Sequence, residues 1–73
     1  MEENTLLISV VIPMYNASDT IVKVLDSVKN QSFNCDYEVF VVNDGSTDDS
    51  KSIVEKYILN NRSFNVNLIN QSN

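Results

Sequence analysis

Two apolar, β-branched runs constrain this chain more than anything else in it. Leu6-Leu7-Ile8-Ser9-Val10-Val11-Ile12 and Tyr37-Glu38-Val39-Phe40-Val41-Val42 are nearly continuous rather than alternating. Runs of that kind suit strands covered on both faces. Pro13, which cannot donate to a ladder, is expected to end the first. The second stops at Asn43-Asp44-Gly45-Ser46-Thr47-Asp48-Asp49-Ser50, a dense cluster of turn and cap residues.

The residues between and after these runs have helical period. Ile21, Val24, Leu25 and Val28 share one helix face, with Ser18 or Asp19 as the N-cap and Asn30-Gln31-Ser32 as the close. Thr47 is expected to cap a second helix whose first turn holds Asp48 and Asp49 against the positive helix end. Its buried face would be Ile53, Val54, Tyr57 and Ile58, and Asn60-Asn61 would end it. Val66-Asn67-Leu68-Ile69 is a short third strand. The order βαβαβ predicts an α/β fold: a Rossmann-like parallel sheet with right-handed crossovers.

Composition narrows the possible chemistry. At 73 residues, 42% hydrophobic and 21% charged, the chain is one small globular domain or part of one. A core of that size is marginal without a disulfide or metal. Ten acidic against 5 basic residues, net −5, argue against nucleic-acid partners and anionic membranes. There is no His, so imidazole catalysis and His-ligated metals are excluded. A single Cys, Cys35, excludes an internal disulfide and a thiolate cluster. A single Gly, Gly45, excludes a glycine-rich phosphate loop. The acidic start Met1-Glu2-Glu3 is unlike a secretory leader, and the longest apolar run is too short to span a bilayer. The expected location is cytoplasmic.

In an open parallel sheet, ligands bind beyond the carboxyl ends of the strands. Two loops lie there, Pro13-Met14-Tyr15-Asn16 and the one that opens at Asn43-Asp44. This brings Tyr15 and Asp44 together. An aromatic face and an acceptor-only carboxylate suit a nucleobase and its ring N–H. Taken singly, each residue also has a plain structural explanation. Tyr15 suits a core edge, and Asp44-Gly45 suits a turn. Asp48 and Asp49 suit the helix dipole better than a metal. Cys35 has no visible neighbour to lower its pKa. Lys51 and Lys56 suit a solvated helix face.

The strings Ile8-Ser9-Val10-Val11-Ile12-Pro13-Met14-Tyr15-Asn16, Leu25-Asp26-Ser27-Val28 with Asn30-Gln31-Ser32-Phe33, and Tyr37-Glu38-Val39-Phe40-Val41-Val42-Asn43-Asp44-Gly45-Ser46-Thr47-Asp48 together resemble the opening of a family 2 glycosyltransferase of the GT-A fold. The likeness covers residues 6–73. It implies that residues 1–73 are a partial nucleotide-sugar-binding domain, the N-terminal portion of a GT-A domain. It implies sugar transfer from a nucleotide-sugar donor, most simply a UDP-sugar, to a saccharide or lipid-linked acceptor, usually with inversion. A divalent metal, Mg or Mn, is implied for the full-length enzyme, with its ligands outside this chain. Membrane association in the full-length enzyme stays open. The implied nucleotide-binding residues are Pro13, Tyr15, Asn16, Asp44, Gly45 and Ser46.

The chain departs from the family pattern at two places. Ala17 stands where Glu is frequent, and Asn43 stands where a second Asp is frequent. The second change is expected to weaken hydrogen bonding near the ribose or to alter base preference. No metal-binding Asp-x-Asp segment and no general base can be assigned, so the chain alone is expected to bind weakly and not to turn over. An inactive nucleotide-binding module or structural remnant is the alternative. A dehalogenase-type phosphatase would need a nucleophilic Asp where Val42 stands. A receiver-like domain would need acids after the first strand, where Pro13-Met14-Tyr15 stand. An unpaired sheet edge also gives the chain a route to self-association.

Overall fold

The computed structural model describes residues 7–31 and 35–72. Leu6, expected in the first strand, Ser32, expected at the close of the first helix, and Phe33 and Asn73 lie outside them. The order is β1 (Leu7–Met14), α1 (Ile21–Lys29), β2 (Asp36–Asp44), α2 (Ser50–Asn60) and β3 (Val66–Gln71). The three strands form one parallel sheet in the order β1-β2-β3. Both crossovers step the same way across the sheet, and right-handed crossovers that do so put both helices on one face.

That geometry decides what is buried. Val39, Val41 and Asn43 of β2 face the helices, with Met14 of β1 and Val66 of β3. Ile21 and Leu25 of α1 and Val54 and Tyr57 of α2 close the core over them. Phe64 completes it, 6.3 Å from Tyr57 in an edge-to-face pair. Fully burying such a side chain stabilises the fold by about 1.5–3 kcal/mol. A single net hydrogen bond contributes about 0.5–1.5 kcal/mol. The core therefore holds the frame, and the loop bonds described below shape its edge.

The expectation of strands covered on both faces is not met among the described residues. Val11 is 61% exposed and Ile69 44%, both on the face away from the helices. Both helices of the described residues lie on the opposite side. The same face carries a cross-strand pair, Ser9 Oγ donating to Glu38 Oε2 at 2.8 Å.

Several element ends also differ from expectation. Pro13 lies within β1, paired with Val42, and does not end it. Among the described strands β1 lies at the edge, where a missing N–H is tolerated. α1 begins at Ile21 after Thr20, and neither Ser18 nor Asp19 caps it. Its entry turn is held by the Ala17 carbonyl, which accepts from the Thr20 and Ile21 amides. Val24, expected on the buried face, is 40% exposed. α2 begins at Ser50, so Asp48 and Asp49 precede the helix and Thr47 is not its cap. Asn43 and Asp44 belong to β2, and β3 runs on to Gln71. Lys51 and Lys56 are exposed, as a solvated helix face requires.

Candidate nucleoside site at the carboxyl edge

The strand ends place the candidate residues in a row. Met14 pairs with Asn43, so Tyr15 and Asp44 are the next positions on adjacent strands. Asp44 pairs in turn with Gln71. By alternation, Asp44 and Gln71 share the face of Pro13, Val42 and Ile69, opposite the helices. Tyr15 is 54% exposed and Asp44 half-buried. Gln71 Nε2 donates to Asp44 Oδ1 at 3.4 Å.

Behind this row, the two loops are tied to each other. Asn16 has φ 49°, a left-handed conformation that Asn adopts more readily than most residues. Gly45, at φ 71°, makes the corresponding turn after β2. Asn16 Oδ1 accepts from the Thr47 amide at 2.8 Å and the Asp48 amide at 3.3 Å. The Asn16 amide donates to Ser46 Oγ at 3.0 Å.

A second tie runs through Asp48 and Ser50. Asp48 accepts from the Ser50 amide at 2.9 Å and from the Ser50 hydroxyl through Oδ1, and from the Ser18 amide at 3.2 Å through Oδ2. Ser50 Oγ in turn accepts from the Ala17 amide at 2.8 Å. This satisfies Ser50, which is fully buried. The Ser50 hydroxyl, with the Ser50 and Ser18 amides, holds the Asp48 carboxyl at about 2 against a usual 3.8.

Asn43 points the other way. It is 5% exposed on the helix side, where Nδ2 donates to Asn70 Oδ1 at 2.9 Å. Its Oδ1 accepts from the Ser46 amide at 3.1 Å. A carboxylate at 43 would lose the donor that Asn70 uses. The Asn43 side chain therefore supports the loop from inside.

Pro13, Tyr15, Asn16, Asp44, Gly45 and Ser46 thus lie on two loops and strand ends that meet at one edge. Asn16 and Ser46 use side-chain oxygens to join those loops. Sequence reasoning assigned Asp48 to the helix dipole and missed its tie to Ser18 and Ser50. The Asp-x-Ser spacing was a usable signal, since Asx side chains bond amides two residues on. Gln71 was also missed, because its place depends on how far β3 extends.

The divalent metal does not fit the residues present. Among the described residues, no three His, Cys, Asp or Glu side chains converge, and Asp48 is engaged with Ser18 and Ser50. A groove of 510 Å³ lined by Val22, Ile53, Lys56 and Tyr57 runs across the helices. Its lining includes neither Tyr15 nor Asp44, and the edge has the more specific chemistry. Burial, then the bond to Asp26, pushes the Tyr57 hydroxyl beside it up to about 12.

Comparison with known proteins places this frame. A family pattern described as Glycosyl transferase family 2 matches residues 9–73. The chain is 49% identical over 51 residues to a poly(ribitol-phosphate) beta-glucosyltransferase of Bacillus spizizenii, covering 68% of this chain and 8% of that protein. It is 40% identical over 67 residues to a chondroitin synthase of Escherichia coli, covering 92% of this chain and 9% of that one. An uncharacterized glycosyltransferase of Escherichia coli strain K12, YibD, is 37% identical over all 73 residues, which is 20% of its length. The chain therefore spans a fifth or less of these three relatives. No solved structure matches it. The parallel βαβαβ unit is that of the N-terminal, Rossmann-like part of a GT-A domain. With the pattern running through all three strands and both loops of the edge, the chain belongs to glycosyl transferase family 2.

Proposed function

We propose that this chain holds the nucleoside of a nucleotide-sugar donor, most simply a UDP-sugar, in an inverting glycosyl transfer. The observation that carries the reading is the row at the carboxyl edge. Tyr15 and Asp44 occupy adjacent strand ends, and the loops behind them are joined by Asn16, Ser46, Asp48 and Ser50. The tyrosine ring would give a flat base a wall. The carboxylate would accept its ring N–H. Gly45 would leave the turn free of a Cβ beside the ligand.

The residues described bind and orient. The transfer also requires a base to deprotonate the acceptor hydroxyl, and none of them is assigned that role. Residues 1–73 alone are therefore proposed to be inactive. The names of the relatives, a poly(ribitol-phosphate) beta-glucosyltransferase and a chondroitin synthase, support a saccharide or polyol-phosphate acceptor; a lipid-linked acceptor and a cytoplasmic site of action are part of the proposal.

The test is an NMR titration with UDP, with and without Mg²⁺ or Mn²⁺. Selective shifts at Tyr15, Asp44 and Gly45 are expected. A folded protein whose edge signals do not respond would exclude the nucleoside reading and favour an inactive remnant.

A further inference from the structure

Burial does not hold Tyr15 and Asp44 in place. Tyr15 is exposed and lies outside the core, and Asp44 is half-buried with one long bond to Gln71. Each is instead held by the chain on its two sides. On the strand side stand Met14 and Asn43, both buried and paired with each other. On the loop side, the two loops hold one another.

The crossing bonds have a definite pattern. Three successive amides after Tyr15 donate to side chains of the second loop: Asn16 to Ser46 Oγ at 3.0 Å, Ala17 to Ser50 Oγ at 2.8 Å, and Ser18 to Asp48 Oδ2 at 3.2 Å. Asn16 Oδ1 accepts in return from the Thr47 and Asp48 amides. Within the first loop, Asn16 thus bonds in both directions, whereas Ala17 and Ser18 only donate across. The Ser46 amide is itself held by Asn43 Oδ1 at 3.1 Å, which anchors this clasp to the core strand. Asn16 directly follows Tyr15, and its partner Ser46 lies just beyond Asp44 across Gly45. Glycine restrains the backbone least. The spacing of ring and carboxylate therefore depends on the clasp as well as on the strands.

We infer that Asn16 is a positioning residue of this site: through its Oδ1 and its amide it holds Tyr15 and Asp44 at a fixed spacing, so that a nucleoside meets both without having to order the loops itself. The ordering cost then falls on folding and not on binding. Asn16 acts on the ligand through these two residues, not by touching it. The inference rests on the nucleoside reading proposed above and deepens it. It requires only that a base touches both residues, whichever way the base lies.

The test is an NMR titration of wild type, Asn16→Gly and Asn16→Asp with uridine and with UDP. Glycine keeps the left-handed turn and removes Oδ1. Aspartate also enters that turn readily and keeps an acceptor, but has no Nδ2 hydrogens. Uridine carries no phosphate, so the charge that aspartate adds weighs little on its affinity. Dispersed amide spectra show whether each variant is folded. Asn16→Gly should bind both ligands about tenfold more weakly, the size of one hydrogen bond, and Asn16→Asp should recover most of the uridine affinity. Wild-type affinity in a folded Asn16→Gly overturns the inference. Equal weakening in folded Gly and Asp variants also overturns it, because Nδ2 would then touch the ligand. The nucleoside reading stands in both cases. If Asn16→Gly does not fold, Ser46→Ala removes the acceptor of the Asn16 amide instead. A similar loss, recovered by Ser46→Thr, supports the inference, and unchanged affinity overturns it. Absence of any ligand-dependent shift at Tyr15 and Asp44 in wild type overturns the inference and the nucleoside reading together.

Discussion

Asp44 and Asp48 are four positions apart and do opposite things. Asp44 ends β2 half-buried, with one long bond to Gln71, and keeps its acceptor capacity toward the edge. Asp48 spends its capacity inward, on Ser18 and Ser50. Replacing Asp44 by Ala should weaken UDP binding by about 1–3 kcal/mol with little change in melting temperature, measured by calorimetry. Asp48 should show in acid instead. Its folded pKa lies below its unfolded value, so its ionised bonds stabilise the protein above about pH 4. That stabilisation is lost as pH falls from there toward about 2. Circular dichroism of Asp48→Asn should show a smaller change across this window than wild type.

The loops behave as one element because Asn16 combines a backbone conformation with a side-chain acceptor. These two contributions can be separated. Asn16→Gly keeps the left-handed turn and loses only the acceptor. Asn16→Ala loses both, and the left-handed turn adds a penalty of about 1–2 kcal/mol. Urea unfolding should rank wild type above Gly and Gly above Ala; equal stability of the two variants would mean that the turn carries no conformational cost. The elements themselves were legible from the sequence. Ile21, Leu25 and Val28 carry helical period, and the apolar runs announce β1 and β2. The element ends were not. Ser18 and Asp19 look like caps, but Ser18 instead gives its amide to Asp48, a residue 30 positions away. Such a partner has no local signature. The meeting of Tyr15 and Asp44 was legible because strand polarity alone brings them to one edge. Asn43 reads as the first turn residue, but strand alternation carries through it to Asp44.

At the scale of the 73-residue chain, the decisive fact is that the described sheet has helices on one side. Leu7, Val11 and Ile69 are exposed, and Leu7 and Val11 lie on an edge strand. An unpaired strand edge beside apolar side chains is a template for association. Sedimentation velocity should show the 73-residue chain growing in mean size with concentration, and Val11→Lys should suppress the growth. A monomer at every concentration would mean that the open face is quieter than its composition implies.

The ties between the loops also have a meaning in time. The bonds of Asn16 to Ser46, Thr47 and Asp48 join positions 30 to 32 residues apart. None of them can form while the chain is still short, and each waits for a long loop to close. During synthesis, the edge stays unassembled until β2 and the start of α2 have emerged and docked. The edge is complete only when the first crossover has closed and the second has begun.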